Sequence, residues 1–564
     1  MKKLLLIFLA AFTQLCYSQL TEVPFNLQIE EAQLIIEGNI VNETSFFAEG
    51  TQDIYTAYEV NVLKILKGET AQISNENKIY IINIGGSIDN NHLEVEPNIQ
   101  FDTDKASTFM LRQDNVGVSG IGLPQEFSYN VTQNAQSKYS YACDTGEVVG
   151  LFTSFSSTEV FYNTIEQLTG NVTITISEND PCNPNGMPQA ITFTGFSPTT
   201  VPAGVQSVLT ITGSGFGTTQ GGAKVWFRTN NNPNQFSTSN NFQVVSWSDT
   251  QIEIYVPDIA GTGQIAVSAS SFSAPVYSTG GIIVPYSEIN IQYKQTQHVA
   301  NQTTFNIPFY TTTDFGQNTA AAAAMHRAFA QYFCPTAFNS ELNIANATDV
   351  STANSENVVR FDPTLPSGVL GICYSYYSSC GGDYYVTEMD LAFNPNKNWN
   401  FTENLPTATQ YDFQSVAVHE LGHARQLRHI IDPNVVMYYA LGAGIEKREL
   451  NNDEIFAGND INQRSENGIC GRGYIGISCG PNLGIEAQDI ASIKLYPNPA
   501  SEILNVINLL SNTATFTILN IQGKTLESGV ITGGFVTVSN LPQGVYFIKI
   551  SEENNSIIKK FIKK

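Results

Sequence analysis

Four residues that could perform metal-dependent chemistry lie within eleven positions of one another: His419, Glu420, His423 and His429. On a helix, residues four positions apart lie on one face, so the rings of His419 and His423 can reach the same cation. Imidazole nitrogens are common zinc ligands, and a zinc ion with three protein ligands and one open position supports hydrolysis. Glu420 lies where a general base could take a proton from water. These residues predict a zinc hydrolase, with peptides as the expected substrates.

The third histidine requires a turn in the chain. A continuous helix would place His429 about 80° around the axis from His419 and almost three turns along, out of reach of the metal. A sharp turn after His423 would bring the third ring back to the ligand set. Met437 follows His429 by eight residues, in the run 435–439 of sequence Val-Val-Met-Tyr-Tyr. The whole stretch resembles the long zinc-binding motif and Met-turn of the metzincins, the matrixin branch in particular.

This resemblance implies a role for each residue. It makes His419, His423 and His429 the zinc ligands, Glu420 the general base, and Met437 a hydrophobic floor that does not bind the metal. Tyr439 either stabilises an oxyanion as a fifth ligand or simply packs, as most tyrosines do. Matrixin-like folds also allow Ca²⁺, but no loop of this chain contains a convincing series of calcium ligands.

One position departs from the matrixin pattern. The glycine usually found between the second and third histidines is Gln426 here. The turn requires a positive φ, and a residue other than glycine in the left-handed region costs roughly 1–2 kcal/mol. The departure leaves two alternative third ligands open, Glu446 and Glu449, although only His429 fits the Met-turn spacing.

Length and charge bound the remaining interpretation. A chain of 564 residues is too long for a single core and predicts several domains. The net charge of −24 argues against nucleic acid or an anionic membrane surface as a partner.

The N-terminus predicts export. Residues 1–3 include two lysines and residues 4–11 are apolar, a pattern that predicts a signal peptide over 1–18. That run is too short to span a bilayer and no comparable run follows, so we expect an exported protein without a transmembrane segment.

Seven cysteines remain after the signal peptide, and in an oxidising compartment most of them should pair. Short sequence separations suggest two bridges, Cys373–Cys380 and Cys470–Cys479. A third bridge, Cys143–Cys182, is less firmly indicated, and Cys334 is then left free.

The first two regions are expected to be β-rich. Residues 19–180 contain strand patterns at 55–62 and 78–84, and form either an inhibitory prodomain or a permanent module. Residues 187–285 contain strand and turn signals at 196–198, 209–217, 244–252 and 256–257. Their order resembles the IPT/TIG immunoglobulin-like fold, which implies a sandwich that serves as a spacer or binding module.

The third region, 288–485, is the expected catalytic domain, of α+β metzincin-like fold. An apolar stripe at Met325, Phe329 and Phe333 predicts a helix over 320–333. Residues 384–393 alternate as a strand does, and Asp412 is a good N-cap for the helix that holds His419 and His423. His326 lies off the apolar stripe and is expected to be an ordinary surface histidine.

The last region, 492–564, returns to short strands and is expected to be a β-sandwich. Its runs Leu-Tyr-Pro-Asn-Pro-Ala at 495–500 and Leu-Pro-Gln-Gly-Val-Tyr-Phe-Ile at 541–548 resemble the type A sorting domain of type IX secretion cargo from Bacteroidetes. The resemblance implies that the type IX machinery is a partner and that the protein is secreted or attached to the outer cell surface.

Two functions are therefore weighed. The leading hypothesis is a secreted zinc endopeptidase that hydrolyses protein or peptide substrates. The alternative is a non-catalytic adhesion or glycan-binding protein with a structural or vestigial zinc site. Three histidines with an adjacent glutamate favour catalysis, because a structural zinc site closes its fourth position with a protein ligand.

Overall fold

The structure is a computed structural model. It describes residues 20–103, 105–142, 145–177, 191–239, 243–269, 275–299, 306–347, 353–476, 494–496, 500–501, 503–507, 514–520, 524–531, 535–552 and 555–564. The chain divides into two compact units, Met1–Ile477 and Ser478–Lys564, which are described separately.

The N-terminal region is built around a closed ring of strands. Its order of elements is α1 (Phe25–Glu31), β1 (Leu34–Phe47), β2 (Ile54–Lys67), β3 (Lys78–Ile84), β4 (Gly86–Ile88), β5 (Asn91–Glu96), β6 (Ser107–Gln113), β7 (Ser128–Val131), β8 (Lys138–Ala142), β9 (Glu147–Val149), β10 (Ser154–Phe155), α2 (Thr158–Thr169) and β11 (Ile174–Thr175). Strand β1 pairs with both β2 and β6, so the order β1-β2-β3-β7-β6 closes on itself. The strands predicted at 55–62 and 78–84 are confirmed as parts of β2 and β3.

The next region is a sandwich of two four-stranded antiparallel sheets. Its strands are β12 (Thr192–Ser197), β13 (Val208–Ser214), β14 (Lys224–Thr229), β15 (Phe236–Thr238), β16 (Val244–Trp247), β17 (Gln251–Tyr255), β18 (Ala260–Ser268) and β19 (Val276–Ile282). The sheets have the orders β12-β13-β17-β16 and β15-β14-β18-β19. Leu209 and Ile252 of one sheet share a buried core with Phe227 and Ile265 of the other, as a sandwich requires.

The region that contains the histidines has a mostly parallel sheet with helices. Its elements are β20 (Asn290–Ile291), β21 (Lys294–His298), β22 (Ile307–Thr312), α3 (Thr313–Gln317), α4 (Thr319–Phe333), β23 (Ser340–Ala347), β24 (Asn357–Phe361), β25 (Gly371–Cys380), β26 (Asp383–Phe393), β27 (Trp399–Asn400), β28 (Tyr411–Asp412), α5 (Phe413–Ala424) and α6 (Asn452–Glu466). The sheet order is β23-β22-β24-β26-β25-β5-β4. Strands β22, β23, β24 and β26 are parallel, whereas β25 runs antiparallel to β26.

The elements predicted here from sequence are confirmed. The helix expected over 320–333 is α4, in which Met325 and Phe329 are buried against the sheet, while His326 is exposed. The strand expected over 384–393 is β26, and α5 begins after Asp412 as expected.

One feature of this sheet was not expected. Its last two strands, β5 and β4, come from the N-terminal region, and β5 pairs antiparallel with β25 along Asn91–Glu96. The sheet beside the histidines therefore contains strands from two regions that the sequence analysis treated as separate domains.

The disulfide predictions for Cys373, Cys380 and Cys470 are wrong. Cys380 is bonded to Cys470, and Cys373 is a buried free thiol. Cys373 and Cys380 lie on the single extended strand β25, where seven residues span roughly 23 Å, far beyond the reach of one bridge. Cys334, predicted to be free, is disulfide-bonded. Cys143, Cys182 and Cys479 lie outside the described residues.

The C-terminal unit contains two antiparallel sheets. Its strands are β29 (Lys494–Tyr496), β30 (Ile503–Ile507), β31 (Thr515–Leu519), β32 (Thr525–Val530), β33 (Phe535–Thr537), β34 (Gly544–Glu552) and β35 (Asn555–Lys563), in the orders β29-β30-β33 and β32-β31-β34-β35. Leu504, Ile518, Ile548 and Phe561 lie in its buried core. Across the described part of the whole chain, no helix is long and apolar enough to cross a membrane.

Candidate metal centre

Helix α5 places two of the histidines on its buried face. Asp412 caps the helix by accepting a hydrogen bond from the Ser415 N–H at 2.9 Å, and it also accepts from Arg448 Nε at 3.0 Å. The helix continues to Ala424, so His419 and His423 project one turn apart from the same side. Both side chains are buried, so water does not compete for their nitrogen atoms.

A tight turn then returns the third histidine. Gln426 adopts φ +72°, the left-handed conformation that a glycine usually provides. Its side chain is buried, and its Oε1 accepts hydrogen bonds from the hydroxyls of Thr296 at 2.9 Å and Tyr377 at 2.7 Å. His429 follows, with its Nε2 atom 3.1 Å from that of His423.

In each of the three imidazoles, the Nε2 atom points toward the other two rings. Each Nδ1 lies beside an oxygen acceptor: Val436 O at 2.6 Å from His419, Leu427 O at 2.8 Å from His423, and Asn231 Oδ1 at 2.5 Å from His429. These oxygens assign the proton to Nδ1 in each ring.

Three unprotonated Nε2 atoms therefore converge. Those of His419 and His423 are 3.1 Å apart, and one ligand atom from each of the three rings lies within 4.8 Å of the others. Unprotonated lone pairs at this distance repel one another unless a cation lies between them. The donor set consequently fits a metal that prefers neutral nitrogen ligands, as zinc does.

Burial also keeps these rings in the form that binds a metal. It lowers the pKa of His423 to about 3 and holds the pKa values of His419 and His429 well below their ordinary range. The imidazoles are therefore neutral at physiological pH even before a cation binds.

Glu420 follows the first histidine on α5 and lies against strand β25. It is fully buried, and a Cβ atom placed on Gly371 would lie only 2.5 Å from its Oε1. Burial, together with the nearby charge of Glu420, raises the pKa of the Cys373 thiol well above its ordinary value. The carboxylate thus lies directly against the start of β25.

Met437 packs under the same helix. Its Sδ would be 2.2 Å from a Cβ placed on Gly422, so a side chain at this position, directly before His423, would displace Met437. The N–H of Met437 donates to Glu454 Oε1 at 2.8 Å, which attaches this segment to the N-terminus of α6. Met437 is therefore in direct contact with helix α5, which holds His419 and His423.

Three regions of the chain match known protein families. Residues 288–461 match the Matrixin family model. Residues 191–281 match the IPT/TIG domain, and residues 494–564 match the Secretion system C-terminal sorting domain. The three resemblances stated from sequence are confirmed. The sorting domain indicates that the protein is secreted or attached to the cell surface.

Individual relatives cover only parts of the chain. Metalloendoproteinase 2-MMP of Arabidopsis thaliana is 28% identical over 133 residues, which is 23% of this chain and 33% of the plant protein. The match thus spans about a third of that relative's length. Among solved structures, PorZ, a surface component of the type-IX secretion system of Porphyromonas gingivalis, is 16% identical with a TM-score of 0.13. It covers 14% of this chain and 12% of PorZ, and a likeness at that score carries no argument about fold.

The other candidate ligands of the matrixin region lie as follows. Tyr439 is buried among apolar side chains, and its hydroxyl lies 3.2 Å from that of Tyr438. Glu446 and Glu449 are exposed, and Glu446 Oε2 lies 3.7 Å from Arg448 Nη1. Among the described residues, the cluster that could hold a metal consists of the three histidines.

Sequence reasoning missed several residues that support the site. Glu454 was detectable, because Asn451 and Glu454 have the spacing of a capping box, which the structure forms. Asn231 and Arg428 were not detectable. Arg428 Nη1 donates to Glu94 at 2.7 Å and also to Glu96, and its Nε donates to Asp258 at 2.9 Å. Partners so distant in sequence leave no local signal.

Proposed function

We propose that this protein is a secreted, zinc-dependent endopeptidase. The observation that carries the proposal is the convergence of three buried, neutral imidazole Nε2 atoms beside a buried glutamate, within a region similar to the matrixins.

His419, His423 and His429 would hold the metal. Bound there, zinc supplies a Lewis acid that polarises a peptide carbonyl and makes water more acidic. The described histidine, cysteine and carboxylate side chains add no fourth ligand to this cluster, so one coordination position remains for substrate or water. That open position is what separates a catalytic site from a structural one.

Glu420 acts as the general base. Its carboxylate accepts the proton of the attacking water and later delivers a proton to the leaving amine, so the proton moves across one side chain. Met437 supports the ligand helix from below. For Tyr439, which is buried in an apolar cluster, we propose a packing role, with stabilisation of the oxyanion as the alternative.

The domain layout completes the proposal. It comprises a signal peptide over 1–18, a β-rich N-terminal domain over 19–180, an immunoglobulin-like domain over 187–285, an α+β metzincin-like catalytic domain over 288–485, and a β-sandwich sorting domain over 492–564. The type IX machinery would export the chain, and the substrates would be extracellular proteins or peptides.

Comparing the wild type with Glu420→Gln tests this function. Both proteins are purified, trimmed at the N-terminus and assayed for casein cleavage, with bound zinc measured in parallel. We expect the variant to retain zinc and lose cleavage by at least about 100-fold, because the general base is gone. A trimmed wild type that binds zinc but cleaves no protein substrate would overturn the proposal.

A further inference from the structure

The outer partner of the third histidine comes from a different part of the fold. Asn231 lies in the loop between β14 and β15 of the immunoglobulin-like sandwich, and its Oδ1 accepts the Nδ1–H of His429 at 2.5 Å. The corresponding partners of His419 and His423 are backbone carbonyls of the matrixin region itself. Of these three Nδ1 acceptors, that of His429 is a side chain, and it belongs to the neighbouring module.

We infer that Asn231 is a positioning residue for the metal site and that the sandwich is part of the catalytic machinery. By fixing the proton on Nδ1, the amide oxygen turns the Nε2 lone pair of His429 toward the other two rings. Outer partners of this kind typically change metal affinity 10–100-fold. The inference rests on the proposed zinc site but is tested without catalysis.

Zinc affinity of the full chain, measured by competition with a fluorescent chelator, tests this role. We expect Asn231→Leu to weaken binding about 10–100-fold, and Asn231→Asp, which keeps the acceptor, to restore it. Asn234→Leu, an exposed site in the same loop, is the matched control and should bind as wild type does. Wild-type affinity in Asn231→Leu overturns the inference, and Asn231→Ala decides the matter if the leucine variant does not fold. Absence of zinc binding in the wild type would instead contradict the proposed function.

Discussion

At the scale of single residues, the site is defined by side chains that compensate for one another. Gln426 takes the conformation in which a matrixin has glycine, yet its amide oxygen accepts hydrogen bonds from Thr296 and Tyr377. The backbone cost of roughly 1–2 kcal/mol is thus offset by two buried hydrogen bonds of about 1 kcal/mol each. The residue that departs from the family pattern is therefore integrated into the turn that positions His429.

Substitution of Gln426 separates these two effects. Gln426→Ala removes the hydrogen bonds and keeps the strain of a positive φ, whereas Gln426→Gly removes both the hydrogen bonds and the strain. We expect both variants to be less stable than the wild type, and the alanine variant to be less stable than the glycine variant by about 1 kcal/mol. Urea unfolding followed by tryptophan fluorescence measures the difference. A glycine variant more stable than the wild type would show that the hydrogen bonds do not compensate.

How far single residues could be predicted from sequence depended on their spacing. His419, Glu420 and His423 lie on one helix, and local periodicity suffices to bring them together. His429 and Met437 required the family resemblance, because a turn has no periodicity of its own. Asn231 is 198 positions from its partner and could be found only from the fold.

At the scale of elements, α5 is held at its start by an ion pair as well as a cap. Asp412 is buried and accepts from Arg448 Nη2 at 2.5 Å in addition to Nε. Arg448 also donates to the carbonyls of Thr402, Glu403 and Asn404. This arrangement ties the ligand helix to the two loops on either side of it.

Removal of the Asp412 carboxylate should therefore affect the whole helix. Asp412→Ala removes a cap worth about 1 kcal/mol and the nearer carboxylate partner of Arg448, which keeps Glu446 at 3.7 Å and three backbone carbonyls. The loss should therefore lie at or below the lower end of the about 3–5 kcal/mol that is typical of a broken buried ion pair. We expect about 3 kcal/mol of destabilisation in urea unfolding and weaker zinc binding. Asp412→Asn, which keeps the cap, should lose less. Stability within about 0.5 kcal/mol of wild type in Asp412→Ala would contradict this role.

Elements also show why the disulfides were mispredicted. Proximity in sequence suggested Cys373 with Cys380, but a continuous strand keeps them far apart. The bond from Cys380 to Cys470 joins residues 90 positions apart, where the end of β25 meets the segment after α6. Strand and helix positions were predictable from periodicity, whereas their contacts across the fold were not.

At the scale of the whole molecule, one chain combines regions similar to three families. The matrixin, IPT/TIG and sorting regions were each evident from short motifs, because every motif lies within one module. The joining of β4 and β5 to the catalytic sheet was not evident, because strand pairing between modules leaves no local pattern.

The sorting domain should act independently of the site. Deletion of residues 494–564 should leave zinc binding unchanged, since the site lies wholly in the other compact unit. In a host with type IX machinery, we expect the truncated protein to be retained inside the cell envelope while the full chain reaches the medium or the cell surface. Immunoblotting of the fractions measures this, and export of the truncated protein would contradict the assignment.

The central claim is that three imidazoles hold one zinc ion for peptide hydrolysis. The most direct test is casein cleavage by the purified, N-terminally trimmed protein during chelation and stepwise return of zinc, with His429→Ala in parallel. We predict that activity disappears on chelation and returns in proportion to zinc up to one equivalent, while the variant stays inactive. Cleavage that persists without metal, or a fully zinc-loaded protein that cleaves nothing, would contradict the account.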